Sequence, residues 1–83
     1  MKRKKKKVYY KFSGILKTNF SNNTGSIEVP ATYNMRDFLI KIAGINEKYL
    51  KYLDITVKGK KYALDKKLKN NMNIHILLPI GGG

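Results

Sequence analysis

Eighty-three residues suffice for one domain and exclude a multidomain enzyme. Eighteen Lys and Arg against five Asp and Glu give a net charge of +13. The absence of cysteine excludes a disulfide framework, a thiolate zinc site and a cysteine nucleophile, so a chain this short must close its own apolar core.

The charge is uneven. Lys2, Arg3, Lys4, Lys5, Lys6 and Lys7 crowd the start, leaving 12 basic against 5 acidic residues for 8–83. The expected organisation is a solvated, disordered Lys-rich extension over 1–7, a folded domain over 8–79 and a thin Gly-rich tail over 80–83. Clustered cations suggest nucleic acid, because they displace counterions from phosphates. Against that reading, Lys outnumbers Arg 16 to 2, and Lys, Asn, Ile and Tyr, all with AT-rich codons, fill 39 of 83 positions. A nucleic-acid reader leans more on Arg, whose planar fork grips phosphate and guanine bidentately. Lys11 interrupts what would have to be the apolar stretch of a signal peptide, and no apolar run approaches the roughly 18 residues of a membrane span. The expected setting is the cytoplasm, with no membrane partner.

The elements follow in chain order. Val8, Tyr10 and Phe12 alternate with Tyr9, Lys11 and Ser13, the period of a half-buried strand that can run on to Leu16. Turn formers fill 18–26, and a second strand is expected over Ser26 to Pro30, with Ile27 and Val29 on one face and Glu28 on the other. Met35, Phe38, Leu39, Ile42 and Ala43 then fall on one stripe of an amphipathic helix. Asn34 suits its N-cap, Asp37 its first turn and Gly44 its C-terminal stop.

Residues 46–53 predict a further helical turn. Leu53, Ile55 and Val57 alternate as a third strand, punctuated by Gly59, and Lys61 to Leu64 reads as a brief edge strand. Asp65 to Met72 is a polar connection with Leu68 as its buried anchor. Asn73 to Leu78 is strongly strand-forming, and Pro79, which has no N–H to donate, stops it. The order predicts an α+β fold, a mixed sheet of four to five strands packed on one main helix.

Side-chain catalysis has little to work with. Glu28, Asp37, Glu47, Asp54 and Asp65 are scattered, with no evident acid/base couple. His75 lies between Ile74 and Ile76, and alternation puts it on the opposite face as a surface strand residue without a companion. No metal site is expected. The sequence reads as that of a protein that is not an enzyme. Its informative part is Gly81-Gly82-Gly83, because consecutive glycines can thread a channel too narrow for a Cβ and present a main-chain carboxylate.

The run Val57-Lys58-Gly59-Lys60-Lys61-Tyr62-Ala63-Leu64-Asp65, then Leu68, then Asn70 to Asn73, then Ile74 to Gly83, resembles the C-terminal half of the MoaD/ThiS sulfur carriers, which are ubiquitin-like β-grasp proteins. With the preceding hairpin and helix, the resemblance covers 8–83. The chain departs from the family at Leu78, where a first proline is frequent, at Asn70 to Asn73, which replace an acidic turn, and in its basic charge. The resemblance implies that Gly83, with Gly82, forms the activated C-terminus, adenylated by a ubiquitin-activating-type enzyme that uses ATP. This chain itself would bind no cofactor. Gly81, Ile80 and Pro79 would set the tail's exit, and Leu77 and His75 would be candidates for partner docking. The activated carrier would pass sulfur to a synthase as a thiocarboxylate or form a thioester. The alternatives are a modifier joined to target lysines through a conjugating enzyme and, in a different class, a basic nucleic-acid-binding module.

Overall fold

The computed structural model describes residues 4–14 and 18–78. Five strands form one sheet: β1 (Lys5–Ser13), β2 (Thr24–Pro30), β3 (Asp54–Val57), β4 (Lys60–Lys61) and β5 (Met72–Leu77), in the spatial order β2-β1-β5-β3-β4. The last strand is therefore central. It runs parallel to β1 and antiparallel to β3, while β2 and β4 pair antiparallel at the two edges. A parallel neighbour cannot be reached by a tight turn, and the helical segment between β2 and β3 crosses one face of the sheet.

Alternation decides which side chains meet that segment. Val8 and Phe12 of β1, Val29 of β2, Ile55 of β3 and Met72, Ile74 and Ile76 of β5 point inward and are buried. They pack with Met35, Phe38, Leu39 and Ala43 of the helical segment and with Leu50 and Leu68. Tyr10 stacks on Phe20 at 4.1 Å between ring centroids, and both rings lie within 6.4 Å of Phe38. Gly25 stands opposite Tyr10 in the β1–β2 register, and a Cβ there would lie 2.6 Å from the Tyr10 hydroxyl, so glycine makes room for the ring.

The helix starts as expected and ends differently. Asn34 caps it, accepting from the Asp37 N–H at 2.8 Å, while the Asp37 carboxylate accepts from the Asn34 N–H at 3.2 Å, a reciprocal capping box. Helix α1 (Met35–Asp37) then widens into a π-helical turn over Phe38–Ile42, in which the Ala43 N–H donates to the Phe38 carbonyl at 2.9 Å. Ile42 is only half-buried, unlike the rest of the predicted stripe. The end of this turn is capped from the loop after β1. The Asn19 N–H bonds the Ala43 carbonyl at 2.8 Å and its amide bonds the Ile42 carbonyl at 3.1 Å, satisfying the last carbonyls from outside the helix. Gly44, at φ +75°, turns the chain beside Asn19. The predicted further turn is a 3-10 helix, Glu47–Tyr52.

Two boundaries move for physical reasons. Lys5, Lys6 and Lys7 belong to β1 rather than to the extension. Lys5 pairs with Pro30 of β2, the Lys7 carbonyl accepts from Asn71 at 2.6 Å, and the Lys7 N–H donates to the Asn70 side chain at 2.8 Å. The predicted edge strand Lys61 to Leu64 is shorter, because the Leu64 and Lys66 carbonyls leave the sheet to accept from Arg36 and Met35 in the first turn of the helix. Leu68 is fully buried as anticipated. Residues 1–3, Leu16, and Pro79 to Gly83 lie outside the described residues, so the expectations placed on them concern positions the structure does not describe.

Candidate functional site

Of the predicted site residues the structure describes His75 and Leu77, both on β5 and on the face of the sheet turned away from the helix, while Pro79, Ile80, Gly81, Gly82 and Gly83 lie outside the described residues. At the strand's end the Leu78 N–H donates to the Ser13 carbonyl at 3.3 Å, holding the chain against β1 up to the residue before Pro79. Gly14 follows Ser13 at φ +89°, and a Cβ on it would stand 2.5 Å from the Leu78 carbonyl oxygen. The approach thus needs glycine for two reasons, backbone conformation and space. The signal for this in the sequence is the glycine placed directly after an alternating strand, a mark of close backbone approach.

Leu77 and His75 share one face, as alternation required, but differ in surroundings. Leu77 is half-buried, opposite Ser13 on one side and Asp54 on the other. His75 is exposed and lies between Lys11 of β1 and Thr56 of β3. Its Nε2 is 3.0 Å from the Ser13 hydroxyl. Sequence reasoning gave His75 no companion; the parallel β1–β5 register supplies one.

The same face carries β1's outward residues Lys5, Lys7, Tyr9 and Lys11. The register sets Tyr9 beside Asn73, and Thr24, Lys11, His75, Thr56 and Lys61 in one row across all five strands. Between Tyr9, Lys11, Thr56, Lys58, Asn73 and His75 lies an open depression of about 320 Å³. The Lys58-Gly59 turn at its rim has both residues at positive φ, 55° and 79°, as a two-residue hairpin turn requires. Among the described residues no polar or charged side chain is buried, and no three of His, Asp and Glu converge on one point. No helix of the described residues is long and apolar enough to cross a membrane.

No protein-family model matches the chain, and no curated protein matches it in sequence. Solved structures match its fold. SAMP1 from Haloferax volcanii superimposes with a TM-score of 0.69 at 14% identity, covering 93% of this chain and 99% of that one. A putative molybdopterin converting factor, subunit 1, from Pyrococcus furiosus gives 0.67 at 21% identity, covering 90% and 99%. With the observed strand order these likenesses establish the ubiquitin-like β-grasp fold.

Proposed function

We propose that the chain is a ubiquitin-like carrier whose reactive group is the carboxylate of Gly83. The observation that carries this reading is the hand-off from β5: a central strand, held through Leu78 by the Ser13 carbonyl, leads directly into Pro79-Ile80-Gly81-Gly82-Gly83. A central strand is the stiffest place in a sheet from which to aim a tail, since its backbone is bonded on both sides. The likeness in fold to a protein named as a molybdopterin converting factor subunit supports the same reading.

A carboxylate is a poor electrophile at neutral pH. In the proposed sequence a Gly83 carboxylate oxygen attacks the α-phosphorus of ATP in the active site of an activating enzyme, and pyrophosphate leaves. A sulfur nucleophile then attacks the acyl carbon and expels AMP. If that sulfur is a cysteine thiolate of a partner, the product is a thioester; if it is sulfide, the product is a thiocarboxylate directly. If it is a partner's persulfide, the product is an acyl disulfide, from which a second thiol of the partner releases the thiocarboxylate by attacking the partner's own sulfur and closing a disulfide there. The thiocarboxylate then serves a sulfur-accepting synthase. Transfer from a thioester to a target lysine amine would make the chain a protein modifier. The chain's own residues bind and position; ATP belongs to the partner.

The test is intact mass after incubation with a ubiquitin-activating-type enzyme of the same cell and ATP. The expected product carries AMP, a thioester partner, or sulfur in place of one oxygen. A chain lacking Gly82 and Gly83 should form none of them. An adduct that survives this deletion overturns the proposal. Sulfur-for-oxygen exchange marks a sulfur carrier, and isopeptide bonds to lysines of other proteins mark a modifier.

A further inference from the structure

We propose that the outer face of the sheet binds single-stranded nucleic acid, centred on the depression between Tyr9, Lys11, Lys58 and Asn73. The starting observation is the distribution of charge over the folded domain. Of the acids, Asp37 and Glu47 are engaged on the helical side by Lys41 and Arg36. Among the outward-facing positions of the five strands the only acids are Glu28, opposite Lys7 near one edge, and Asp54, opposite Leu77 at the end of the sheet. No ion pair among the described residues neutralises Lys5, Lys7, Lys11, Lys58 or Lys61. Like charges held side by side on a rigid sheet repel, and a polyanion laid across them relieves that repulsion and releases counterions.

The arrangement also has a pattern. Lys5, Lys7, Tyr9 and Lys11 follow one another along β1 at about 6.8 Å, two residues of strand rise, so one aromatic ring stands within a row of cations. Lys7 Nζ lies 5.4 Å from the Tyr9 ring centroid. The ring also forms part of the wall of the depression, where the amide of Asn73 and the imidazole of His75 offer hydrogen-bonding groups. Cations that track a backbone beside an aromatic platform are what an unstacked base with flanking phosphates requires. A duplex keeps its bases stacked and cannot use Tyr9. An acidic peptide satisfies the lysines but has no use for the ring. On the other side, Lys48 and Lys51 belong to the 3-10 helix and take no part in this depression.

The probe is a fluorescently labelled single-stranded RNA of about a dozen nucleotides, titrated with the full chain and read by anisotropy. Binding near physiological salt is expected, with log K falling against log salt at a slope of about −2 for some three neutralised phosphates. Lys11→Glu and Lys58→Glu should each weaken it roughly tenfold, and Lys48→Glu and Lys51→Glu, with the same charge change elsewhere, less than about threefold. Tyr9→Thr, which keeps a strand-forming residue, should weaken it at least about fivefold while leaving the salt slope unchanged, the mark of stacking rather than charge. No binding near physiological salt overturns the proposal, as do equal losses for variants of the two sides. Displacement of the RNA by polyglutamate at equal charge also overturns it and assigns the face to an acidic protein. No activating enzyme is needed, and removal of Gly82 and Gly83 should leave RNA binding unchanged, so this proposal and the carrier reading fail separately.

Discussion

Gly14 and Leu78 meet so closely that the absent side chain of one is defined by the carbonyl of the other. A Cβ on Gly14 would lie 2.5 Å from the Leu78 oxygen, and the φ of +89° at Gly14 is itself disfavoured for any other residue. Two distant points of the chain, the end of the first strand and the root of the C-terminal tail, thus share one tightly packed site.

Gly14→Ala should therefore act at both levels. The positive φ and the contact together cost on the order of 1–3 kcal/mol, read as a lower urea midpoint with an unchanged slope. The backbone must shift to accommodate the methyl group, which weakens the 3.3 Å bond from Leu78 to Ser13, so the Leu78 amide should exchange faster with solvent. Unchanged exchange at Leu78 would show that the tail's root is held by other contacts.

At the start of the helical segment, Asn34→Ala removes the acceptor of the Asp37 N–H at 2.8 Å and should cost about 1 kcal/mol in urea unfolding. Asp37→Ala removes the other half of the box, the 3.2 Å bond to the Asn34 N–H, together with the pairing to Lys41 at 3.6 Å. Because the two singles break one reciprocal unit, the double variant should cost less than the two combined. Strict additivity would mean that the two bonds act independently.

Phe38 lies where the helix widens, fully buried and within 6.4 Å of both Tyr10 and Phe20 by ring centroid. Phe38→Ala empties the space between helix and sheet and should cost about 3–5 kcal/mol. That is a large share of the whole stability of a domain this size, so the variant should lose most of its near-ultraviolet circular dichroism at growth temperature. Phe38→Leu, which keeps most of the volume, should retain a cooperative transition; an equally severe loss there would point to the ring's edge contacts rather than to volume.

These residues also show what can be read from a sequence and what cannot. The period of Met35, Phe38, Leu39 and Ala43, bracketed by Asn34 and Gly44, specifies a helix locally, because capping and amphipathicity are interactions between near neighbours. The strand alternation read over 73–78 likewise placed His75 and Leu77 on the face opposite Ile74 and Ile76, where they lie in the observed strand. The π turn was not legible, nor was its cap by Asn19, which reaches the helix end from an unrelated loop. The ordering of Lys5 to Lys7 was not legible either. Six consecutive cations look solvated, and only the main-chain bonds to Asn71 and β2 and the side-chain acceptor at Asn70 reveal a strand. The pairing of His75 with Ser13 needed the parallel register, which no local pattern encodes.

Lys6 makes the point about the basic start testable. Its Nζ donates to the Leu68 carbonyl at 2.7 Å, and the residue is half-buried, whereas Lys5 and Lys7 on either side are exposed. The bond joins the first strand to the residue that anchors the 65–72 connection in the core. Lys6→Met keeps the apolar stem and removes the donor, leaving the Leu68 carbonyl one partner short, and should cost about 1 kcal/mol. Lys6→Ala removes the stem as well and should cost more. Under limited acetylation with a water-soluble amine reagent, Lys6 should react roughly fivefold more slowly than Lys5 and Lys7, the factor that a bond of about 1 kcal/mol implies. Peptide mapping by mass spectrometry reads the three sites in one sample. Equal rates at all three would mean that Lys6 is as free in solution as its neighbours and that β1 effectively begins beyond it.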